Sequence, residues 1–316
     1  MRSPRVGFAL LVIVVFAWGL TWPVNKVIVA AMPPVWAVAI RTAIGCIALF
    51  ALASLTGRLR VPPRADLPVL FSITLLHMVG FTVLSSVGLE LVPAGRTAVL
   101  AYTTPLWVLP GASLFLGERL TARRALGVAV GLLGLLVLFN PLTLDWTQRA
   151  TVLGNLAILA AALLWAGSIL HIRGHPWQST PFDLLPWEML LATVITFPLA
   201  IVVAGPPAIE MTLPLAAMLF YAGVPGTALA YWASATAGRA LPAVTTSLGL
   251  LATPVVSVAA AALWLGEGLT LSLLAAIVLI LGGVAIGAEP FHGAPRDGPP
   301  SPPALVTPRR SRGAPR

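Results

Sequence analysis

The sequence predicts an all-α membrane protein of ten transmembrane helices, arranged as two inverted five-helix repeats. Three observations predict it. Of 316 residues, 58% are hydrophobic and only 9% charged, well outside the composition of a soluble domain. The apolar residues fall into ten runs, each near the ~20 residues a spanning helix needs, because in hydrocarbon every backbone N–H and C=O must be paired within the segment. Two windows, 93–121 and 242–270, also align without a gap at an offset of 149 residues. They share Pro93/Pro242, Ala94/Ala243, Thr97/Thr246, Thr104/Thr253, Pro105/Pro254 and Gly117-Glu118/Gly266-Glu267.

Each span has its own signals. The first, 6–29, follows Arg2 and Arg5 like a signal peptide, but it lacks a small-residue cleavage site and is followed by further spans, so it is expected to be retained. Pro33 and Pro34 open the second, 35–56, with Arg41 within it. The third, 67–89, carries His77. The fourth, 94–116, holds Pro105 near its middle, where a missing N–H frees the carbonyl four residues earlier and bends the helix. A turn at Gly117-Glu118 leads to the fifth, 123–139, with Thr121 placed to cap it. The sixth, 151–172, contains Trp165 and stops at Gly174 and Pro176; the seventh, 183–204, has Glu188 in its first turn. The eighth is 213–237, the ninth is 241–265 with Pro254 inside it, and the tenth is 271–288, capped by Thr270.

Beyond the best-matched windows, Trp18 matches Trp165, Lys26 matches Arg173 and Pro34 matches Pro181 at an offset of 147 residues. The repeats are therefore expected over 6–139 and 151–289, followed by a disordered basic Pro-rich tail over 290–316. An odd number of spans per copy turns the second copy upside down, the arrangement from which alternating-access carriers are built.

The net charge of +9 marks a side of the membrane and not a nucleic-acid partner. With the N-terminus inside, Arg58, Arg60, Arg64, Arg119, Arg123, Arg124, Arg173 and Arg239 fall on the cytoplasmic face with the arginines of the tail, whereas only Lys26, Arg96 and Arg149 lie opposite. Both termini are thus expected in the cytoplasm and the chain in a cell (inner) membrane. Cys46 is the only cysteine, which excludes disulfides and thiolate metal clusters.

The strings AWGLTWPVNK, TTPLWVLPGASLFLGERLT, LLWAGS, PGTALAYWA and ATPVVSVAAAALWLGEGLT, with Pro33-Pro34 ahead of Arg41, resemble the EamA branch of the drug/metabolite transporter superfamily over residues 6–289. The resemblance implies ten helices, a substrate cavity near the membrane centre between the two halves, and export or exchange of small organic metabolites. It leaves the metabolite open. Where the first copy has Arg41 the second has Glu188, so an anion site is implied in one half only.

Candidate cavity residues are Trp18, Trp22, Arg41, His77, Tyr102, Thr103, Thr104, Trp165, Tyr231 and Thr253. Arg41 is costly at membrane depth unless it meets water, a partner or a ligand, and it either binds a carboxylate or phosphate or snorkels to the headgroups. His77 suits proton coupling, or a neutral bond to a neighbouring helix. Glu188 is expected to cap a helix dipole, with proton carriage as the alternative, and no direct Arg41–Glu188 pair is expected. Internal aromatics give flat walls with polar tips. Thr103, Thr104 and Thr253 offer hydroxyls to a ligand or to the carbonyls freed by Pro105 and Pro254. Asn25 and Lys26 are gate candidates. Trp36, Trp146, Trp177, Trp187 and Trp264 fit an interfacial belt. Gly127/Gly131 and Gly283/Gly287 have the spacing of close helix contacts, either within the bundle or across a homodimer.

His171 and His175 lack a further ligand nearby, so no metal site is expected, nor any cofactor. An ATP-driven pump would need a phosphate-cradling Gly-Lys-Ser/Thr loop, and the sole lysine is followed by Val27. An intramembrane enzyme would need a paired nucleophile and base, and His77 has no acidic neighbour in sequence. The expected function is ATP-independent export or exchange of small organic metabolites or drugs by alternating access; a lipid flippase or channel-like facilitator shares the composition and stands as the alternative. The partners expected are a small-molecule substrate and the bilayer.

Overall fold

The computed structural model describes residues 4–139, 148–241 and 243–288. The tail 290–316, Trp146 and Pro242 lie outside the described residues. The helices are α1 (Pro4–Ala31), α2 (Pro34–Leu55), α3 (Leu67–Ser72), α4 (Thr82–Leu91), α5 (Ala94–Ala101), α6 (Thr104–Leu116), α7 (Ala122–Phe139), α8 (Arg149–Gly174), α9 (Pro181–Ala204), α10 (Leu213–Gly223), α11 (Ala230–Ala240), α12 (Ala243–Leu250), α13 (Ala252–Leu265) and α14 (Leu271–Gly287). α3 and α4 are joined by a π-helical turn over Ile73–Phe81, and α10 and α11 by another over Val224–Leu229. Among the described residues these pieces form ten spans.

Two spans are broken where a proline sits. α5 and α6 part at Tyr102 and Thr103, just before Pro105, and α12 and α13 part at Leu251, just before Pro254. Both broken spans end on a left-handed glycine, Gly117 at φ 66° and Gly266 at φ 68°, whose following amides return to Ala112 O at 3.2 Å and Ala261 O at 3.3 Å. The next helix is then capped by threonine: Thr121 accepts from Arg124 N at 3.3 Å, and Thr270 from Leu273 N at 3.2 Å.

Equivalent helices of the two copies pack against each other antiparallel. Along α2 and α9, Trp36 Nε1 donates to Gly205 O at 3.0 Å, the Thr42 and Thr196 hydroxyls meet at 3.3 Å, and the rings of Phe50 and Trp187 lie 5.4 Å apart. Residue numbers rise on one helix as they fall on the other. α7 and α14 do the same, with Arg123 Nε on Ile286 O at 2.8 Å and Gly134 against Ile280. Glu267, past the end of α13, accepts from Ala94 N at 2.6 Å and Gly95 N at 2.9 Å, the first amides of α5.

The cross-packing repeats with the copies exchanged. α1 runs parallel to the α12–α13 span, Leu11 meeting Gly249 and Gly19 meeting Val256, and antiparallel to α11, Gly7 meeting Ala240. α8 runs parallel to α6, Gly111 meeting Leu170, and antiparallel to α4, Gly88 meeting Ile158 and Leu91 meeting Gly154. Only two copies of opposite orientation, related by an axis in the membrane plane, give this pattern.

Large apolar side chains such as Phe16, Leu136, Val202, Leu263 and Val278 point outward, as a lipid-facing surface requires. Between helices, where lipid offers no hydrophobic gradient, small residues allow close approach. Gly127 faces Gly283 and Gly287 of α14 inside one chain, so the glycine spacing that fitted a homodimer face is consumed by an intramolecular contact. Trp36, expected in an interfacial belt, is buried against Phe197 with its N–H on α9's end.

Two apolar clusters occupy opposite ends of the bundle. One gathers Ile28, Met32, Trp36, Leu89 and Leu219 at the end where α1 finishes; the other gathers Leu49, Leu70, Ile73, Phe182 and Met189 where α9 begins. The candidate site lies where they meet.

Candidate substrate site

A cavity of about 120 Å³ opens between the two copies. Helical stripes from both copies build it. α1 contributes Trp18, Thr21, Trp22 and Asn25; the first π-helical turn and α4 contribute His77, Met78, Phe81, Thr82, Ser85, Ser86 and Leu89. α2 adds Arg41 and Thr42, and the break between α5 and α6 adds Tyr102. The second copy supplies Trp165 from α8, Met189 from α9, Gly226 and Thr227 from the second π-helical turn, and Tyr231 from α11.

The π-helical turns set the floor. Thr227 Oγ1 donates to Ala222 O, five residues back, at 2.7 Å, so this turn bonds its own widened backbone. Gly226 lets α1 come close: a Cβ there would lie 2.7 Å from Thr21 Oγ1. The other turn carries His77, whose ring lies flat on Trp165, 5.1 Å between centroids and 7° between planes, with its Nε2 3.3 Å from the Tyr231 hydroxyl. Phe81 and Tyr102 flank Trp165 at 5.0 and 6.3 Å. Tyr231 in turn meets Trp18 edge-on at 5.4 Å. The two symmetry-equivalent tryptophans thus cover the ends of one aromatic box.

Most hydroxyls in the walls are spent on their own helices: Thr21 on Ala17 O, Thr42 on Ala39 O, Thr82 on Met78 O and Ser85 on Thr82 O. The Arg41 guanidinium is not. It sits in electrostatic range of Tyr231 and His77, and among the described residues no hydrogen bond or ion pair reaches it. With Asn25 and Ser86 it also lines a small recess adjoining the cavity. A guanidinium and an amide side chain lining one aromatic space make a site suited to an anionic or acceptor-rich ligand.

Of the residues expected from sequence, Trp18, Trp22, Asn25, Arg41, His77, Tyr102, Trp165 and Tyr231 line the cavity. Thr103, Thr104 and Thr253 do not. Thr103 Oγ1 donates to Leu100 O at 2.6 Å and Thr104 Oγ1 to Ala101 O at 2.8 Å, the carbonyl left without its amide by Pro105; Thr253 is buried beside the Tyr102 hydroxyl. Pro105 and Pro254 shape the breaks and do not touch the cavity. Lys26 turns away from it, donating to Leu89 O at 2.6 Å and Val92 O at 2.9 Å and so capping the end of α4. Glu188 is not a dipole cap: α9 begins at Pro181, and Asp183 fills that role by accepting from Thr180 N at 3.0 Å. Glu188 lies two turns further in, 3% exposed.

Sequence reasoning missed Ser85, Ser86, Phe81, Met189 and Thr227. The stripe 77, 78, 81, 82, 85, 86, 89 has helical spacing and was readable; the π-helical turn that aims its first half inward has no proline to announce it.

The EamA-like transporter family matches twice, over residues 5–140 and 152–287. The chain is 24% identical over 278 residues to an uncharacterized transporter, YoaV, of Bacillus subtilis (strain 168), covering 88% of this chain and 95% of the relative. It is 30% identical over 303 residues to a probable amino-acid metabolite efflux pump of Salmonella typhimurium, covering 92% and 97%. A solved crystal structure shares the fold at a TM-score of 0.61 with 22% identity, over 91% of this chain and 98% of the other. With two matched repeats, ten spans and a cavity between inverted copies, the chain belongs to the EamA-like transporter family and is a multi-pass membrane protein whose relatives are named transporters and not enzymes.

Proposed function

We propose that the chain is a secondary transporter that exports or exchanges a small organic solute bearing a carboxylate or similar oxyanion. It works by alternating access in a cell (inner) membrane, with both termini cytoplasmic and the repeats 6–139 and 151–289 as its moving halves. The observation that carries this reading is the Arg41 guanidinium, without a protein partner among the described residues, in an aromatic cavity between inverted copies. Its charge at membrane depth is costly, and an anionic ligand offsets that cost.

Size narrows the solute. An engineered cavity of roughly 150 Å³ takes up one benzene, so about 120 Å³ suits a body of amino-acid size and not a multi-ring one. The name of the Salmonella relative points the same way. The substrate's apolar part packs on Trp18, Trp165 and Phe81, and its anionic group meets Arg41, Asn25 and Ser86.

Counterflow tests it. Purified protein in proteoliposomes preloaded with a mixture of unlabelled amino acids is diluted into trace radiolabelled amino acids. A saturable, transient overshoot of at least one label is expected. Flux that stays linear with concentration and shows no overshoot replaces the carrier with a channel.

A further inference from the structure

Glu188 is the mate of Arg41: it stands 147 residues further on, the offset that relates Trp18 to Trp165, and on the antiparallel partner helix. Their surroundings differ sharply. Arg41 lines the cavity, whereas Glu188 is 3% exposed, and among the described residues no hydrogen bond or ion pair reaches its carboxyl. An ionised carboxylate shut away from solvent, donors and counter-ion is too costly to keep within a membrane-spanning helix, so the group is held as the neutral acid.

Several of its neighbours line the cavity. The elements packed on α9 are α2, which brings Arg41 and Cys46; the first π-helical turn, which brings His77; α11, which brings Tyr231; and α3, which brings no ionisable side chain. Tyr231 is in electrostatic contact with Glu188, bonds His77 at 3.3 Å and lines the cavity together with it. The carboxyl thus lies in electrostatic range of a phenol that is bonded to an imidazole, and both of these face the open space.

We infer that Glu188 is a proton-binding site that couples solute movement to the movement of one proton. The inference rests on the alternating-access reading above. With the cavity open as described here, a proton from the water it contacts passes by way of His77 and Tyr231 onto the Glu188 carboxylate, giving the acid. When the copies exchange conformations, Glu188 takes the position Arg41 holds now and lines a cavity open to the opposite compartment. There the acid gives its proton to water and returns to the carboxylate. One proton crosses per cycle, entering from the compartment that the present cavity faces.

Infrared difference spectroscopy of the reconstituted protein, titrated from alkaline to acidic pH, reads the site without any substrate. The wild type is expected to gain a carboxylic-acid carbonyl band that Glu188→Gln lacks and that Glu188→Asp shows displaced; identical spectra for wild type and Glu188→Gln overturn the proposal. Gln matches the neutral acid in shape, and a monodisperse size-exclusion peak confirms that the variant folds. In liposomes holding the dye pyranine, an imposed amino-acid gradient is expected to move protons with wild type and Glu188→Asp but not with Glu188→Gln. Equal proton flux from Glu188→Gln also overturns it. A wild type that shows the Glu188 band yet exchanges none of the amino-acid probes leaves the proton site standing and removes the assigned solute class.

Discussion

At the scale of single residues, the proposed function puts the choice of solute on Arg41. Hydrogen bonds to a charged partner are worth about 1.5–3 kcal/mol, and each ~1.4 kcal/mol is tenfold in affinity. Arg41→Gln is therefore expected to raise the half-saturation concentration for a carboxylated amino acid by roughly 10- to 100-fold, while leaving that of the matching carboxamide nearly unchanged. Concentration series of labelled uptake for both members of the pair measure this, and an equal change for both would take Arg41 out of the binding site. Arg41 was legible in the sequence because a lone charge in an apolar span is too costly to stand there without a task, and Trp18 and Trp165 because the repeat marks them as a pair. For the threonines beside Pro105 the sequence left two roles open, a ligand or a freed carbonyl. Whether a hydroxyl serves a ligand or a freed carbonyl depends on its rotamer, and the backbone claimed Thr103 and Thr104 at distances of 2.6 and 2.8 Å. The sequence also misplaces Glu188, because its apolar run starts at Asp183 whereas α9 starts at Pro181, which pulls the carboxyl toward a helix end it does not reach.

Among elements, the α7–α14 pair shows how much depends on a missing side chain. A Cβ on Gly127 would lie 2.5 Å from Gly283 O, a backbone atom that cannot swing aside, whereas a Cβ on Gly282, one residue along, meets nothing. Overpacking of this kind costs about 1–3 kcal/mol. Gly127→Ala is expected to lower the thermal midpoint of the detergent-purified protein by several degrees, and Gly282→Ala to leave it within error. Thermal-shift curves of both variants compare them directly, and a Gly127→Ala protein as stable as the wild type would mean that the helices are not in contact there. The ten spans were legible from apolar length and flanking prolines, and the proline breaks from Pro105 and Pro254. The π-helical turn at Ile73–Phe81, which packs against α8 and α9, was not: a sequence scan for helical period does not see an added residue inside an apolar run.

For the whole molecule, every functional statement rests on the copies being inverted, and the fold makes that a question of which face each loop occupies. The turns after α2 and after α9 are equivalent under the repeat, so antiparallel packing of those two helices places them on opposite faces. Cys46 is the only cysteine and is buried, so Cys46→Ala supplies a silent background with little change of volume. Into it go Arg58→Cys and Ala208→Cys, one in each turn, both exposed in the structure. In intact cells a membrane-impermeant maleimide is expected to label Ala208→Cys at once and Arg58→Cys only after permeabilisation, because the basic loops place Arg58 in the cytoplasm. The reverse pattern would keep the inversion and turn the molecule over, moving the compartment that the present cavity faces to the other side. Labelling of both positions from one side would require α2 and α9 to run parallel, which the 3.0 Å bond from Trp36 to Gly205 O and the ring contact of Phe50 with Trp187 cannot both satisfy. Arg41 and Glu188 would then face the same compartment, and neither the exchange of access between copies nor the passage of a proton from one face to the other would follow.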